Sequence, residues 1–313
     1  VWIMAYTTID DPSAHFQVTT YTGNDTDGTQ ITNSGNSDLK PDWLWIKNRT
    51  DAGDAPATGG IWDSTRGFAQ DKVLTSFTTN SEGQNANGFA IATTDGFTVE
   101  DGTSGANPRT ATNKNAKNYV AWQWKANGGT TSSNSDGDIT ATVQANTTAG
   151  FSIVTFTGNG NNDATIGHGL GTTPAMIITK NRDDAVLWRV FHKDLTSTNT
   201  LFLNENFAQT APSGHSNGYI KTVGSSTYSV YQGNSDTNGV NGSSDDMIAY
   251  CFAEKQGYSK IGSYTGNGNA DGAFVYTGFK PAWLMIKRTD STNHWLLFDI
   301  KRDTFNVGEK WLR

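Results

Sequence analysis

Asp63 and Arg66, and likewise Asp299 and Arg302, stand three residues apart in two similar stretches, Trp62-Asp63-Ser64-Thr65-Arg66 and Phe298-Asp299-Ile300-Lys301-Arg302. Two carboxylates can cleave a glycosidic bond when they face each other across a cleft at a defined separation. The matching stretch Phe191-His192-Lys193-Asp194-Leu195 carries His192 and Leu195 where the others have Asp and Arg, yet it must fold as they do. The spacing therefore reads as a local Asp-Arg pair at a turn after a strand, a contact worth little where it is exposed.

Other chemistry is weaker. The loops Asp25-Thr26-Asp27-Gly28, Asn159-Gly160-Asn161-Asn162-Asp163 and Asn267-Gly268-Asn269-Ala270-Asp271-Gly272 alternate oxygen-bearing side chains, as calcium loops do. They lack the distal bidentate Glu, and Asn-Gly and Asp-Gly are ordinary hairpin turns, so no metal or other cofactor is assigned. His15, His168, His192, His215 and His294 have no zinc-ligand spacing. Cys251 is the single cysteine, so no intrachain disulfide can form, and its apolar run Met247 to Phe252 marks it as a buried small hydrophobe. Gly158-Asn159-Gly160 and His168-Gly169-Leu170-Gly171 precede no helix, which removes the phosphate-loop reading. No nucleophile-elbow motif occurs, and no catalytic residue is assigned.

The aromatic residues divide by position. Trp43, Trp45, Trp122 and Trp124 lie inside strands that recur along the chain and read as core. Trp188, Tyr219, Tyr228, Tyr231 and Trp311 lie outside those strands and are the binding candidates. A flat exposed ring stacks on a sugar face, and neighbouring Asn, Asp and Thr satisfy hydroxyls. The same rings can instead shield strand edges or fill contacts between units or subunits.

The elements that must position these residues show themselves by self-comparison. Three segments open alike: Phe16 to Asn24, Phe151 to Asn159, and Tyr258 to Asn267, the third with one extra residue, which suggests a bulge. Each is followed by a Pro, an apolar run and a Lys six positions after the Pro: Pro41 to Lys47, Pro174 to Lys180 and Pro281 to Lys287. Such runs read as central strands with Pro at the first position, where no ladder donor is needed. The aromatic-acid stretch comes next. Closing strands then follow in the first two units, Tyr119 to Lys125 and Met247 to Ala253, whereas the sequence reaches Arg313 before a third one. The apolar run Val1-Trp2-Ile3-Met4-Ala5-Tyr6 resembles a closing strand that ends a preceding unit or pairs into a neighbouring one, and it marks the chain as a fragment or processed product.

The expected fold is all-β, tandem β-sandwich units of the jelly-roll or lectin-like kind. The organisation reads as 1–14, a terminal strand of a preceding or swapped unit; 15–128, the first unit; 129–148, a linker and lead-in strand; 149–256, the second unit; and 257–313, an incomplete third unit. Gly128 to Asp138 is the best linker. With 34 Gly and 10 Trp, 10 Tyr and 15 Phe, the composition suits short strands joined by polar turns and not a disordered chain. Charged residues make up 17% and the net charge is -7, so neither a nucleic-acid footprint nor a basic membrane patch is present. No apolar stretch approaches the ~18 residues of a membrane span, and no signal-peptide pattern occurs.

The opening Phe-x4-Tyr-Thr-Gly-Asn, the run Pro41-Asp42-Trp43-Leu44-Trp45-Ile46-Lys47-Asn48-Arg49, the stretch Trp62-Asp63-Ser64-Thr65-Arg66-Gly67 and the closure from Asp95-Gly96-Phe97-Thr98-Val99 to Tyr119–Ala126 together resemble a repeated domain. That domain occurs in tail-fibre and other virion proteins of marine bacteriophages, notably those of cyanobacteria and of ocean heterotrophs, and the resemblance covers all three units. It implies a tail-fibre or adhesin component of the virion that attaches to host cell-surface glycans or another receptor, contacts other virion proteins and assembles as a homotrimer. It carries no catalytic residues over. Two rival expectations stand beside it: a structural or decoration protein of capsid or tail, and a polysaccharide depolymerase.

Overall fold

A computed structural model describes residues 6–50, 59–85, 87–105, 108–196, 198–211, 218–232, 239–304 and 310–312. Val1–Ala5, most of the first apolar run, lie outside the described residues. The fold is all-β, several small antiparallel sheets arranged in a manner consistent with β-sandwich units. Two 3-10 turns, Pro12–Ala14 and Gln70–Lys72, are the helical elements among the described residues, and no helix is long and apolar enough to cross a membrane.

The first unit contributes β1 (Phe16–Thr22), β2 (Thr29–Ile31), β3 (Trp43–Asn48), β4 (Gly59–Asp63), β5 (Phe89–Ala92), β6 (Phe97–Glu100) and β7 (Asn118–Trp124). Then come β8 (Ser132–Asn134) and β9 (Ala141–Asn146). The second unit contributes β10 (Phe151–Thr157), β11 (Thr165–Gly167), β12 (Met176–Asn181), β13 (Arg189–His192), β14 (Leu201–Phe202), β15 (Tyr219–Val223), β16 (Thr227–Tyr231) and β17 (Asp246–Phe252). The last segment gives β18 (Trp283–Ile286) and β19 (Leu296–Asp299).

The inner sheets run β1-β7-β3-β4 and β14-β13-β12-β17-β10-β9-β8, so opening, closing, Pro and Asp strands lie in the same order in both. Each inner sheet is covered on its outer face by a three-stranded sheet, β2-β6-β5 or β11-β16-β15. Strands buried on both faces cannot alternate in hydrophobicity, which is why the Pro runs are apolar throughout. All six residues of β3 are buried. Side chains at Leu44, Ile46 and Ala121 point to the outer layer, while Trp43, Trp45, Trp122 and Trp124 point the other way.

That other way leads to one shared core. Val18, Trp43, Trp45 and Trp122 pack there with Phe151, Ile178, Trp188 and Tyr250 of the second unit and Trp295 and Leu297 of the third. The segment Gly128 to Asp138, expected to be a linker, instead contains β8, which pairs with β9 and extends the second inner sheet. Its polar side chains suit an exposed edge.

Buried polar ties cross the shared core in a fixed direction. Asp63 and Arg66 form the local pair that their spacing announced, 2.5 Å apart, and Asp299 and Arg302 do the same at 2.6 Å. Both pairs are buried, so the low value of an exposed pair does not apply. In each turn the Asp Oδ1 accepts the backbone N–H of the Arg, and the guanidinium donates to strand and loop carbonyls. Tyr250 of the second unit donates its hydroxyl to Asp63 of the first, 2.8 Å, and Trp122 of the first donates Nε1–H to Asp299 of the third, 3.0 Å. Trp188 donates to the Thr75 carbonyl, 2.9 Å, and Trp295 to the Phe202 carbonyl, 2.7 Å, linking second to first and third to second. Glu82 adds an ionic bridge between Arg66 and Arg182 at 2.6 Å to each.

The Thr-Gly-Asn that ends each opening has its own purpose. Asn24 N–H donates to Asn113 Oδ1 while Asn113 Nδ2 donates to Asn24 Oδ1 and the Thr26 carbonyl. Asn159 and Asn241 repeat this reciprocal clasp, with Asn241 Nδ2 reaching the Asn161 carbonyl. The Gly before each Asn lies so close to the opposite backbone that a Cβ would sit 2.3 Å from the Lys114 oxygen or 2.1 Å from that of Gly242. Only glycine fits there.

Candidate functional site

The five candidate rings fall in three different environments. Trp188 is completely buried and Tyr228 is 1% exposed, so neither has a face for a ligand. Both leave the list of binding residues. Trp188 ties two units together, and Tyr228 fills the core beneath the second outer sheet. Trp311 is 51% exposed beside Leu312, whose backbone bridges Leu297. Tyr219 and Tyr231 are half-buried and face each other.

That last pair is built by strand alternation. In β15 and β16, Ile220 and Val230 are register partners whose side chains enter the core. Their neighbours Tyr219 and Tyr231, also register partners, must then stand on the opposite, outer face. The ring centroids are 5.3 Å apart with planes inclined by 30°. A bulge follows at Ile220 to Thr222 and carries Lys221 to the same neighbourhood, where its Nζ meets Asp163 Oδ1 at 2.5 Å. Asp163 holds a left-handed φ of 66°, and its N–H donates to the Val230 carbonyl. Partial burial raises the Tyr219 pKa, with Tyr231 and Asp163 adding to that and Lys221 opposing it. The hydrogen bond to Asp163 raises that of Lys221, so the ammonium is kept. The cluster presents two phenol rings, a cation and a carboxylate on one sheet face. Such a face can stack on a pyranose ring and exchange hydrogen bonds with its hydroxyls.

Two recesses open elsewhere. One of about 230 Å³ lies where three units meet, lined by Trp45, Lys47 and Phe77 of the first, Glu205 of the second and His294 and Trp295 of the third. Lys47 Nζ stands 4.8 Å over the Phe77 ring. The other, about 350 Å³ and shallow, is lined by His15, Lys125, Asn127, Asn146 and Thr148. Both are at or below the lower end of the ~300–1,000 Å³ range of small-molecule sites. Glu205 is the one carboxylate on either wall. Asp63 and Asp299 face neither recess, because each is enclosed by its own Arg and by a donor from another unit.

The Asn-rich loops close on themselves by turn hydrogen bonds, Asn24 Oδ1 accepting from Thr26 N–H and Asn159 Oδ1 from Asn161 N–H. Among the described residues no three His, Cys, Asp or Glu side chains are placed to hold a metal ion. Cys251 is buried, and burial pushes its thiol up to about 12. Lys180 is buried too and donates to the Asn181 and Asp184 carbonyls, and desolvation brings its pKa down to about 7.

Fold and surface together define an all-β chain with a shared aromatic core, two outer sheets and a half-buried tyrosine pair on one of them. It belongs to the family described as a domain of unknown function (DUF7483), which matches residues 11–313. No curated protein and no solved structure matches the chain.

Proposed function

We propose that the chain is a tail-fibre or adhesin component of a bacteriophage virion, outside the host cell, that attaches through surface glycans. The observation that carries the reading is the Tyr219–Tyr231 pair with Lys221 and Asp163 on the outer sheet of the second unit. A rigid hairpin holds both rings at sheet spacing, so little side-chain freedom is lost on stacking against a sugar. A single site of this kind is weak, and attachment needs several copies facing one surface. A homotrimer supplies them, a statement that rests on the likeness to fibre proteins. The test is a glycan array probed with the purified chain and with Tyr231→Ala. Binding by the former and not the latter supports the reading, and equal binding by both removes the platform from it.

A structural role in capsid or tail is the second reading, and one observation favours it. Tyr264, Phe274, Val275, Tyr276, Leu284, Ile300 and Trp311 are exposed, so among the described residues seven of the ten exposed large apolar side chains lie in the last segment. Apolar surface gathered in this way marks a contact with protein. A depolymerase needs a cleft with two carboxylates at catalytic separation, and no described recess supplies them.

A further inference from the structure

His15 and Lys125 meet at a backbone contact that the fold makes elsewhere without them. The Lys125 N–H donates to the His15 carbonyl, 2.9 Å, just after β7 and just before β1. In the second unit the Ala253 N–H donates to the Gly150 carbonyl, 2.7 Å, at the matching place after β17 and before β10. The third opening is preceded by Gly257. Glycine and alanine serve this contact in the second unit, so folding does not call for an imidazole and an ammonium in the first. Both side chains line the shallow recess of about 350 Å³, all of whose lining residues are among those described.

Asn146 of β9 fixes the imidazole. Its Oδ1 accepts the Ala149 N–H, 2.9 Å, and its Nδ2 donates to the Lys125 carbonyl, 3.0 Å, so the two ends of the amide are told apart. The same Nδ2 stands 3.0 Å from His15 Nδ1, which is therefore the bare nitrogen, and the network assigns the proton to Nε2. Tyr258 of the third unit packs edge-on against the ring, centroids 6.1 Å apart. The Nε2–H and the Lys125 ammonium have no partner among the described residues. Burial and the Lys125 charge lower the His15 pKa, and Asp11 opposes them, so the ring is neutral at pH 7 and close enough to the ammonium to feel it.

No carboxylate lies on the recess wall. Asp11 accepts from the Ser13 and Ser37 hydroxyls. Asp42 is buried, with its oxygens occupied by the Ala126 and Gly128 N–H groups and the Ser64 hydroxyl.

We propose that this recess holds an acidic sugar residue, its carboxylate between the Lys125 ammonium and the His15 Nε2–H. An anion there accepts a hydrogen bond from each, strengthened by charge. The rest of the wall suits the rest of the sugar. Thr147 and Thr148 are exposed, and their hydroxyls and Asn127 Oδ1 are left to match ring hydroxyls, Asn127 Nδ2 being engaged by the Thr130 carbonyl. The volume admits a small organic molecule, more than an inorganic anion needs. Its shallowness lets a polysaccharide continue on either side. Naming a sugar rests on the glycan reading above, whereas the preference for an anion rests on His15 and Lys125.

The test is calorimetric titration of the full chain with a galacturonate tetrasaccharide, with its methyl ester and with inorganic phosphate. The acid should bind about tenfold or more tightly than the ester, the loss expected when one charged hydrogen bond is removed. Lys125→Met should weaken the acid by a similar factor and leave the ester unchanged. The Lys125 side chain has no partner to lose, so this variant keeps the fold. His15→Ala should weaken the acid as well. No binding of the acid, equal binding of acid and ester, or an acid affinity untouched by Lys125→Met would each overturn the proposal. Phosphate bound as tightly as the tetrasaccharide would reduce the recess to a site for small anions and overturn it too. Neutral glycans bound through Tyr231 with no preference for the acid would leave attachment standing and remove this site alone.

Discussion

The Tyr250 hydroxyl donates to Asp63 Oδ2 across 2.8 Å, joining the closing strand of the second unit to the Asp-Arg turn of the first. Tyr250 is buried and Asp63 already neutralises Arg66, so a carboxylate, a guanidinium and a phenol satisfy each other inside an aromatic core. Burial works against charge on Arg66, but Asp63, Tyr250 and Glu82 together hold its pKa above the ordinary arginine value. Removing one member leaves the rest unpaired. Asp63→Ala should lower unfolding stability by about 3–5 kcal/mol. Tyr250→Phe, which deletes only the hydroxyl, should cost about 1.5–3 kcal/mol. Denaturant unfolding measures both, and a cost under ~0.5 kcal/mol for Asp63→Ala would show that the network is solvated.

The Asn clasps give a contrast within one chain. Asn24→Ala and Asn159→Ala each remove an acceptor that a buried Asn uses, and each should destabilise by about 1–3 kcal/mol. Asn267 occupies the same motif, but it is exposed and donates to the Asp271 carbonyl four residues on. Asn267→Ala should fall within ~0.5 kcal/mol of wild type. Comparable losses at all three positions would count against the clasp as the reason for the motif.

Lys180 predicts a pH slope. Its folded pKa is depressed to about 7, against an ordinary 10.5, because burial desolvates the ammonium. Between these values the unfolded chain binds a proton that the folded chain does not, so stability rises with pH from about 7 upward and the penalty is fullest below it. Lys287, brought down to about 8 by the same cause, adds in the same direction. Lys180→Met should flatten the rise in melting temperature between pH 7 and 9.5. An identical slope in wild type and variant would show that the folded lysine stays charged throughout.

Cys251 should be silent in the folded protein. Burial raises its thiol to about 12, and it has no exposed surface. An aromatic disulfide reagent should label it only after denaturant is added. Labelling of the native chain at neutral pH would mean that the β10–β17 pairing opens readily.

Much of the frame could be read from the residues. The Pro runs became β3, β12 and β18, and the closing runs became β7 and β17, because apolar stretches between Pro and Lys have few alternatives to a central strand. Trp43, Trp45, Trp122 and Trp124 are core as their place in recurring strands implied. What could not be read is long-range partnership. Nothing local shows that Asp63 meets a tyrosine 187 positions away, or that Asn24 meets Asn113. Of the two readings that its sequence position leaves open for Trp188, ligand binding and contact between units, the structure has the second, and the available sign was that Trp188 stands four residues before His192 just as Trp295 stands before Asp299. Among the candidate rings, strand alternation alone separates Tyr228, which points inward, from Tyr231, which points out.

The most direct test of the attachment account is a structure of the protein in place on its particle. The account predicts units that project outward, with Tyr219 and Tyr231 free and facing away from the virion in every copy. Finding that face buried against capsid or tail protein would contradict it and make the fold an assembly module.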